Sequence, residues 1–170
     1  MDEQKLLAGK SLENFYHVEC IGADGKVKWV EDVKNLVVTA GLNDSLDKHL
    51  KGSSYTAAWY VGITTASDTF AAGDTMSSHA GWVESTVYSD ATRRTLTLGT
   101  VSGGSVDNSA SKAVFNINAS GTIGGAFVVN ESTKGGTTGT LYGGAAFSAD
   151  RTVVSGDTLN VTVTCTATAS

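Results

Sequence analysis

Charge almost disappears from this chain after Gly52. Between residues 53 and 170 the acids are Asp68, Asp74, Glu84, Asp90, Asp107, Glu131, Asp150 and Asp157, and the bases are Arg93, Arg94, Lys112, Lys134 and Arg151. The stretch stays rich in Thr, Ser, Gly, Val and Ala, and the whole sequence holds no proline. Small β-branched and hydroxyl side chains suit half-buried strands, and Gly-Gly pairs suit tight turns. Proline is kept out of sheet interiors because each missing N–H breaks a ladder bond. With 20 glycines to make the turns, the chain is expected to fold into paired strands.

At 170 residues the chain fits one domain with a small N-terminal appendage, and it has enough surface to bury a core without a metal or disulfide. The net charge of −5 argues against nucleic acid as a partner, because counterion displacement needs a basic stripe. Arg93-Arg94 is the only adjacent pair of Arg or Lys residues. The charged start, Met1-Asp-Glu-Gln-Lys-Leu-Leu, has no apolar core, so we expect no signal peptide, no membrane segment and synthesis in a cytosol. Cys20 and Cys165 match no metal or redox spacing and read as buried thiols, with a single bridge as the alternative.

Residues 1–14 read as a mobile arm, and residues 15–170 as one β-sandwich domain entered through a hairpin and helix over 15–52. Strands are expected over 15–21 and 27–33 about an Asp24-Gly25 turn. Leu36, Val37, Ala40, Leu46 and Leu50 recur at helical spacing, which predicts a helical segment over 35–51, broken at Gly41 and restarted by Asn43-Asp44. Further strands are expected over 55–64, 83–88, 95–101, 113–117, 121–130, 140–147 and 158–168. The long connection 65–81 and a flexible loop over 131–138 stand out as candidate functional segments. The fold class expected from this pattern is mainly β, an antiparallel sandwich or jelly roll with one short helix.

Catalytic chemistry is hard to find in the pattern. His17 and Cys20 lie three apart on a strand and so point to opposite faces. His49 reads as a helix-end residue. His79, near Asp74 and Glu84, lacks the further ligands a metal needs. No nucleophile elbow or phosphate loop is present. Asp74 and Glu84 would serve a glycosidase only if folding brought them together. Trp59, Tyr60 and Trp82 are expected to anchor the core. The expectation is a non-enzymatic protein without cofactor or metal.

Residues 28–36, AGLNDSLDKHLKGSSYTAAWYVGIT (40–64), AAGDTMSSHAGWVESTVY (71–88), TLTLGTVSGGSVDNSASKAVFNI (95–117) and SGDTLNVTVTCTATA (155–169) resemble a family of small proteins from tailed-phage and prophage structural modules. The resemblance implies a virion component of the head decoration, or cement, type, with the major capsid protein as partner, assembly as an oligomer on the head exterior, and no catalytic residues. A tail or host-recognition module is the alternative. The segments proposed to reach a partner are the arm, the 65–81 loop and the 131–138 loop. Met1, Leu6, Leu7, Phe70, Met76, His79 and Lys134 are the candidate contact residues within them.

Overall fold

A computed structural model describes residues 11–55, 58–66 and 69–168. The chain opens with a long hairpin of β1 (Ser11–Ile21) and β2 (Val27–Val37). Its turn forms at the expected Asp-Gly pair: Gly25 takes a φ of 77° and the Lys26 N–H donates to Asp24 Oδ1 at 3.1 Å. Residues 11–14, expected in the arm, are instead the first rungs of β1, so the arm residues Met1, Leu6 and Leu7 lie outside the described residues.

Residues 35–37, expected to begin the helix, continue β2. Leu36 and Val37 pair with Gly144 and Gly143 of β8 (Leu141–Val153). A Cβ on Gly143 would stand 2.4 Å from Leu36 O, so the absence of side chains there lets the strands meet. Pairing against two glycines thus outcompetes the helical spacing. The helix, α1 (Thr39–His49), then runs unbroken through Gly41 and Asn43. Its first N–H groups are met from outside: Val38 N–H donates to Tyr142 O at 3.1 Å and Thr39 N–H to Ala72 O at 2.8 Å.

The remaining strands are β3 (Tyr60–Thr64), β4 (Arg94–Thr95), β5 (Ser105–Asp107), β6 (Ala113–Asn116), β7 (Gly121–Val129) and β9 (Thr158–Thr168). They form one curled sheet in the order β4-β3-β7-β8-β2-β1-β9-β5, with β6 also on β9, and every pairing is antiparallel. The curl folds one half of the sheet over the other, giving the expected β-sandwich class. Segments 83–88 and 95–101 are not strands: beyond isolated bridges at Glu84 and Tyr88 and the rung at Thr95, they are held by scattered backbone hydrogen bonds such as Ser85 N–H to Ile63 O at 2.7 Å and Leu96 N–H to Trp59 O at 2.8 Å. β5 is a strand the sequence pattern does not announce, and β8 runs on past residue 147.

Two apolar clusters sit on opposite faces of β7. The main core lies between the sheet halves, where Tyr16, Val18 and Cys20 of β1 and Leu159, Val161 and Val163 of β9 meet Val61, Ile63, Ala126 and Val128. The second lies outside, where Val38, Phe70, Met76 and Trp82 cover Phe127, Val129 and Leu141. Residues 123–129 of β7 are all buried, which explains why this strand reads as a continuous apolar run rather than an alternation. The Gly124-Gly125 pair marks a register shift in the β7–β8 ladder.

Candidate functional site

Residues 69–82 are closed around Asp74. Its buried carboxylate accepts from the Ala71 N–H at 2.9 Å and from Trp82 Nε1–H at 3.1 Å. The Trp82 indole stacks on Phe70 at 5.0 Å and leans on Phe127 at 4.9 Å. His79 lies flat on Trp82 at 3.7 Å, with Nδ1 2.9 Å from Trp82 O. Phe70 and Met76, nominated as partner contacts, are therefore core side chains, 9% and 2% exposed. The aromatic and thioether residues of this loop face inward because β3–β7–β8 presents a second apolar face that something must cover. His79 is half-buried and remains reachable.

The 131–138 loop is pinned by Arg93, not loose. Arg93 donates from Nε and Nη2 to the two carboxylate oxygens of Glu84 at 2.9 and 2.7 Å. Its remaining donors reach Glu131 O at 2.8 Å and Gly136 O at 2.7 Å, while Gly135 N–H donates to Glu84 Oε2 at 3.0 Å. The guanidinium carbon lies 5.4 Å from the centre of the Phe127 ring. Every partner is supplied across a fork of fixed geometry, as a buried charge requires. Lys134 bends back, donating to Tyr88 O at 3.0 Å with Nζ 4.4 Å above the Tyr88 ring. Asp74 and Glu84 thus serve different partners, and folding does not make them a carboxylate pair.

Other buried charges are structural in the same sense. Burial pushes the Glu31 carboxyl up, but Arg151 and Ser148 outweigh it and hold the group below the usual carboxylate range. Asp157 follows the same balance, with Lys28 and the Val154 N–H as the opposing partners. Burial, then the nearby Asp157 charge, pushes the Cys20 thiol up to about 12. Cys20 sits opposite Leu159 in the β1–β9 ladder while Cys165 sits opposite Asn14. Six residues of strand span about 20 Å, far beyond disulfide reach, and both thiols are free. His17 and Cys20 face opposite sides as expected, His17 Nδ1 standing 2.8 Å from Asp32 Oδ1. Among the described residues, no three His, Cys, Asp or Glu side chains are placed to hold a metal.

A concave site that the sequence reading did not assemble lies beneath α1. The N-terminal turn of the helix is pressed onto β8, where a Cβ on Gly41 would stand 2.2 Å from Tyr142 O. Farther along, Ser45, Lys48 and His49 roof a cavity of about 340 Å³. Its apolar walls are Trp59, Leu96, Leu98, Val128 and Tyr142, and its remaining lining residues are Asn14, Asp44, Tyr55 and Cys165. Trp59 and Tyr142 meet edge to face at 5.4 Å. Asn14 and Cys165 are cross-strand neighbours in the β1–β9 ladder, where the inward alternation ends. Asn14 is 1% exposed and its Nδ2 has no partner among the described residues. Burial pushes the Cys165 thiol up to about 11. One signal in the sequence pointed here: Asn14 is the polar member of the inward series Asn14, Tyr16, Val18, Cys20.

No family model matches the chain, and no curated protein matches it.

Proposed function

We propose that this protein is a non-enzymatic virion component that binds the outer surface of a phage head and stabilises the capsid lattice. The observation that carries this reading is the outward face of α1. Leu42, Leu46 and Leu50 recur every fourth residue and are all exposed, Leu46 at 56% and Leu50 at 75%. Such spacing makes one continuous apolar stripe along a helix. Tyr55, beyond the helix, is 77% exposed. The helix behind the stripe is seated on the sheet, Val38 N–H donating to Tyr142 O at 3.1 Å and Gly41 packed against the Tyr142 backbone, so the stripe is presented on a fixed support. A major capsid protein offering a complementary apolar groove at every lattice position would bind many copies, and repetition turns modest single contacts into tight attachment.

Leu46 and Leu50, more than half exposed, each contribute about 1–2 kcal/mol when a partner covers what remains. Leu46→Glu with Leu50→Glu is therefore expected to weaken each attachment by about two orders of magnitude. Because both side chains face solvent, the stability should stay within about 0.5 kcal/mol of the parent's, read by thermal unfolding. Co-sedimentation with isolated expanded heads reads the attachment, and electron-microscopic localisation reads its place. Mature heads that lack the protein, or labelling confined to the tail, would overturn the head assignment.

A further inference from the structure

We propose that the cavity beneath α1 binds a free aromatic α-amino acid, its ring in the apolar chamber and its two charges on Asp44 and Lys48. The inference does not rest on the virion reading, which uses the opposite face of the helix. It starts from an inversion. Gly41, Asp44, Ser45 and Lys48 recur at i, i+3, i+4 and i+7, the spacing of the stripe that a surface helix normally fills with apolar side chains. The close approach of Gly41 to Tyr142 O marks that stripe as the one turned toward the sheet. Leu42, Leu46 and Leu50 lie on the other side, in solvent. The helix thus turns an acid and a base toward a chamber walled by Trp59, Leu96, Leu98, Val128 and Tyr142.

Both charges are open to a ligand. Asp44 and Lys48 line the cavity and are half-buried, so neither is sealed from what enters. Asp47, the acid beside Lys48, is held by Lys51 at 3.2 Å. Asp44 and Lys48 form no ion pair with each other or with another described residue. Burial pushes the Tyr142 hydroxyl up, and the Asp44 charge adds to the rise, which sets that carboxylate beside the cavity wall. A half-buried charge above apolar walls gains from an opposite charge that a ligand brings. Residues four apart on a helix stand roughly 5–6 Å from each other, a spacing that can flank an ammonium and a carboxylate carried on one carbon. A ligand of a single sign would satisfy one of the two and be repelled by the other. At about 340 Å³ the cavity lies at the lower end of the range for small-molecule sites, roughly 300–1,000 Å³, which fits one ring and a short headgroup. The edge-to-face pair of Trp59 and Tyr142 favours an aromatic ring over an aliphatic chain. Closure of Asp44 on Lys48 is the rival fate of the two charges, and such surface pairs are weak.

The test uses L-phenylalanine as the probe, followed by chemical-shift changes at the Trp59 indole N–H in the full chain. Its controls are 3-phenylpropanoate, which lacks the ammonium, 2-phenylethylamine, which lacks the carboxylate, and L-alanine, which lacks the ring. Asp44→Asn and Lys48→Met remove the two charges one at a time, and Leu98→Trp blocks the cavity from a partly exposed position. Circular dichroism checks that each variant is folded. The expected result is saturable binding of L-phenylalanine, with each one-charge analogue about tenfold weaker and L-alanine giving no shift. Asp44→Asn should bring L-phenylalanine down to the level of 3-phenylpropanoate, and Lys48→Met to the level of 2-phenylethylamine. Leu98→Trp should abolish binding of all three ring compounds. The site is overturned if no ring compound gives a saturable shift at its solubility limit, or if the shifts survive Leu98→Trp. The zwitterion assignment is overturned if L-phenylalanine binds no tighter than its one-charge analogues, as closure of Asp44 on Lys48 would produce, or if its advantage survives both charge removals.

Discussion

Arg93 is the residue on which the least obvious part of this structure depends. Its side chain is fully buried, and all the loop carbonyls it reaches belong to residues 131–136. Arg93→Ala would leave Glu84 buried without its counter-charge, a change that typically removes 3–5 kcal/mol. Urea denaturation should register that loss, and amide exchange should show residues 131–138 released first. Arg93→Met combined with Glu84→Leu is expected to recover most of the stability while leaving the loop unpinned, because a buried pair replaced by apolar groups loses no unpaired charge. At the same scale, Asp157 and Glu31 release their protons more readily in the folded chain than in an unfolded one. Unfolding in acid then takes up protons, so their stabilisation is complete above the ordinary carboxylate pKa, roughly 4, and is lost as pH falls through the lower folded values. A series of thermal midpoints from neutral pH to strong acid should be level and then decline, and Asp157→Asn should make the decline shallower.

At the scale of the element, α1 inverts an ordinary rule. Gly to Ala inside a helix normally adds about 1 kcal/mol of stability. Gly41→Ala should instead destabilise, because the new methyl would meet the backbone of Tyr142 at 2.2 Å and push the helix off β8. Thermal unfolding of Gly41→Ala beside Gly52→Ala, whose Cβ would meet nothing but whose φ is 78°, separates contact from backbone strain. The elements that were legible in the sequence are those whose pattern is local: the Asp24-Gly25 turn, the alternation of β6 and β9, and the helix after Val38. The helix start was misread because Leu36 and Val37 have helical spacing, while the glycines that draw them into the sheet lie more than a hundred residues away. Segments 83–88 and 95–101 have strand composition, yet few partners lie alongside them, and composition does not report partners. Apart from the inward Asn14, the cavity under α1 left no mark on the sequence for the same reason, since Asn14, Trp59, Tyr142 and Cys165 converge only through the curl of the sheet.

Over the whole molecule, the strand that opens the described chain and the strand that closes it are neighbours, paired without a break from Ser11–Thr168 to Ile21–Thr158. β9 also carries β5 and β6 on its other edge. A chain ending at residue 157 would leave β5 and β6 without their strand partner and expose an edge of β1, and we expect it to aggregate rather than fold. Circular dichroism and size-exclusion chromatography of that truncation would reveal any surviving native sheet. Such remote pairing also places this protein among the slower folders of its size.

The same ladder gives the molecule a single port. Ser11 and Thr168 face each other at one corner, three rungs from Asn14 and Cys165. A cargo joined directly at Ser11 or Thr168 would start from that corner, on the side of the opening under α1. One inserted into the 22–26 turn would project from the far end of the ribbon, roughly 35 Å away, and leave that doorway clear.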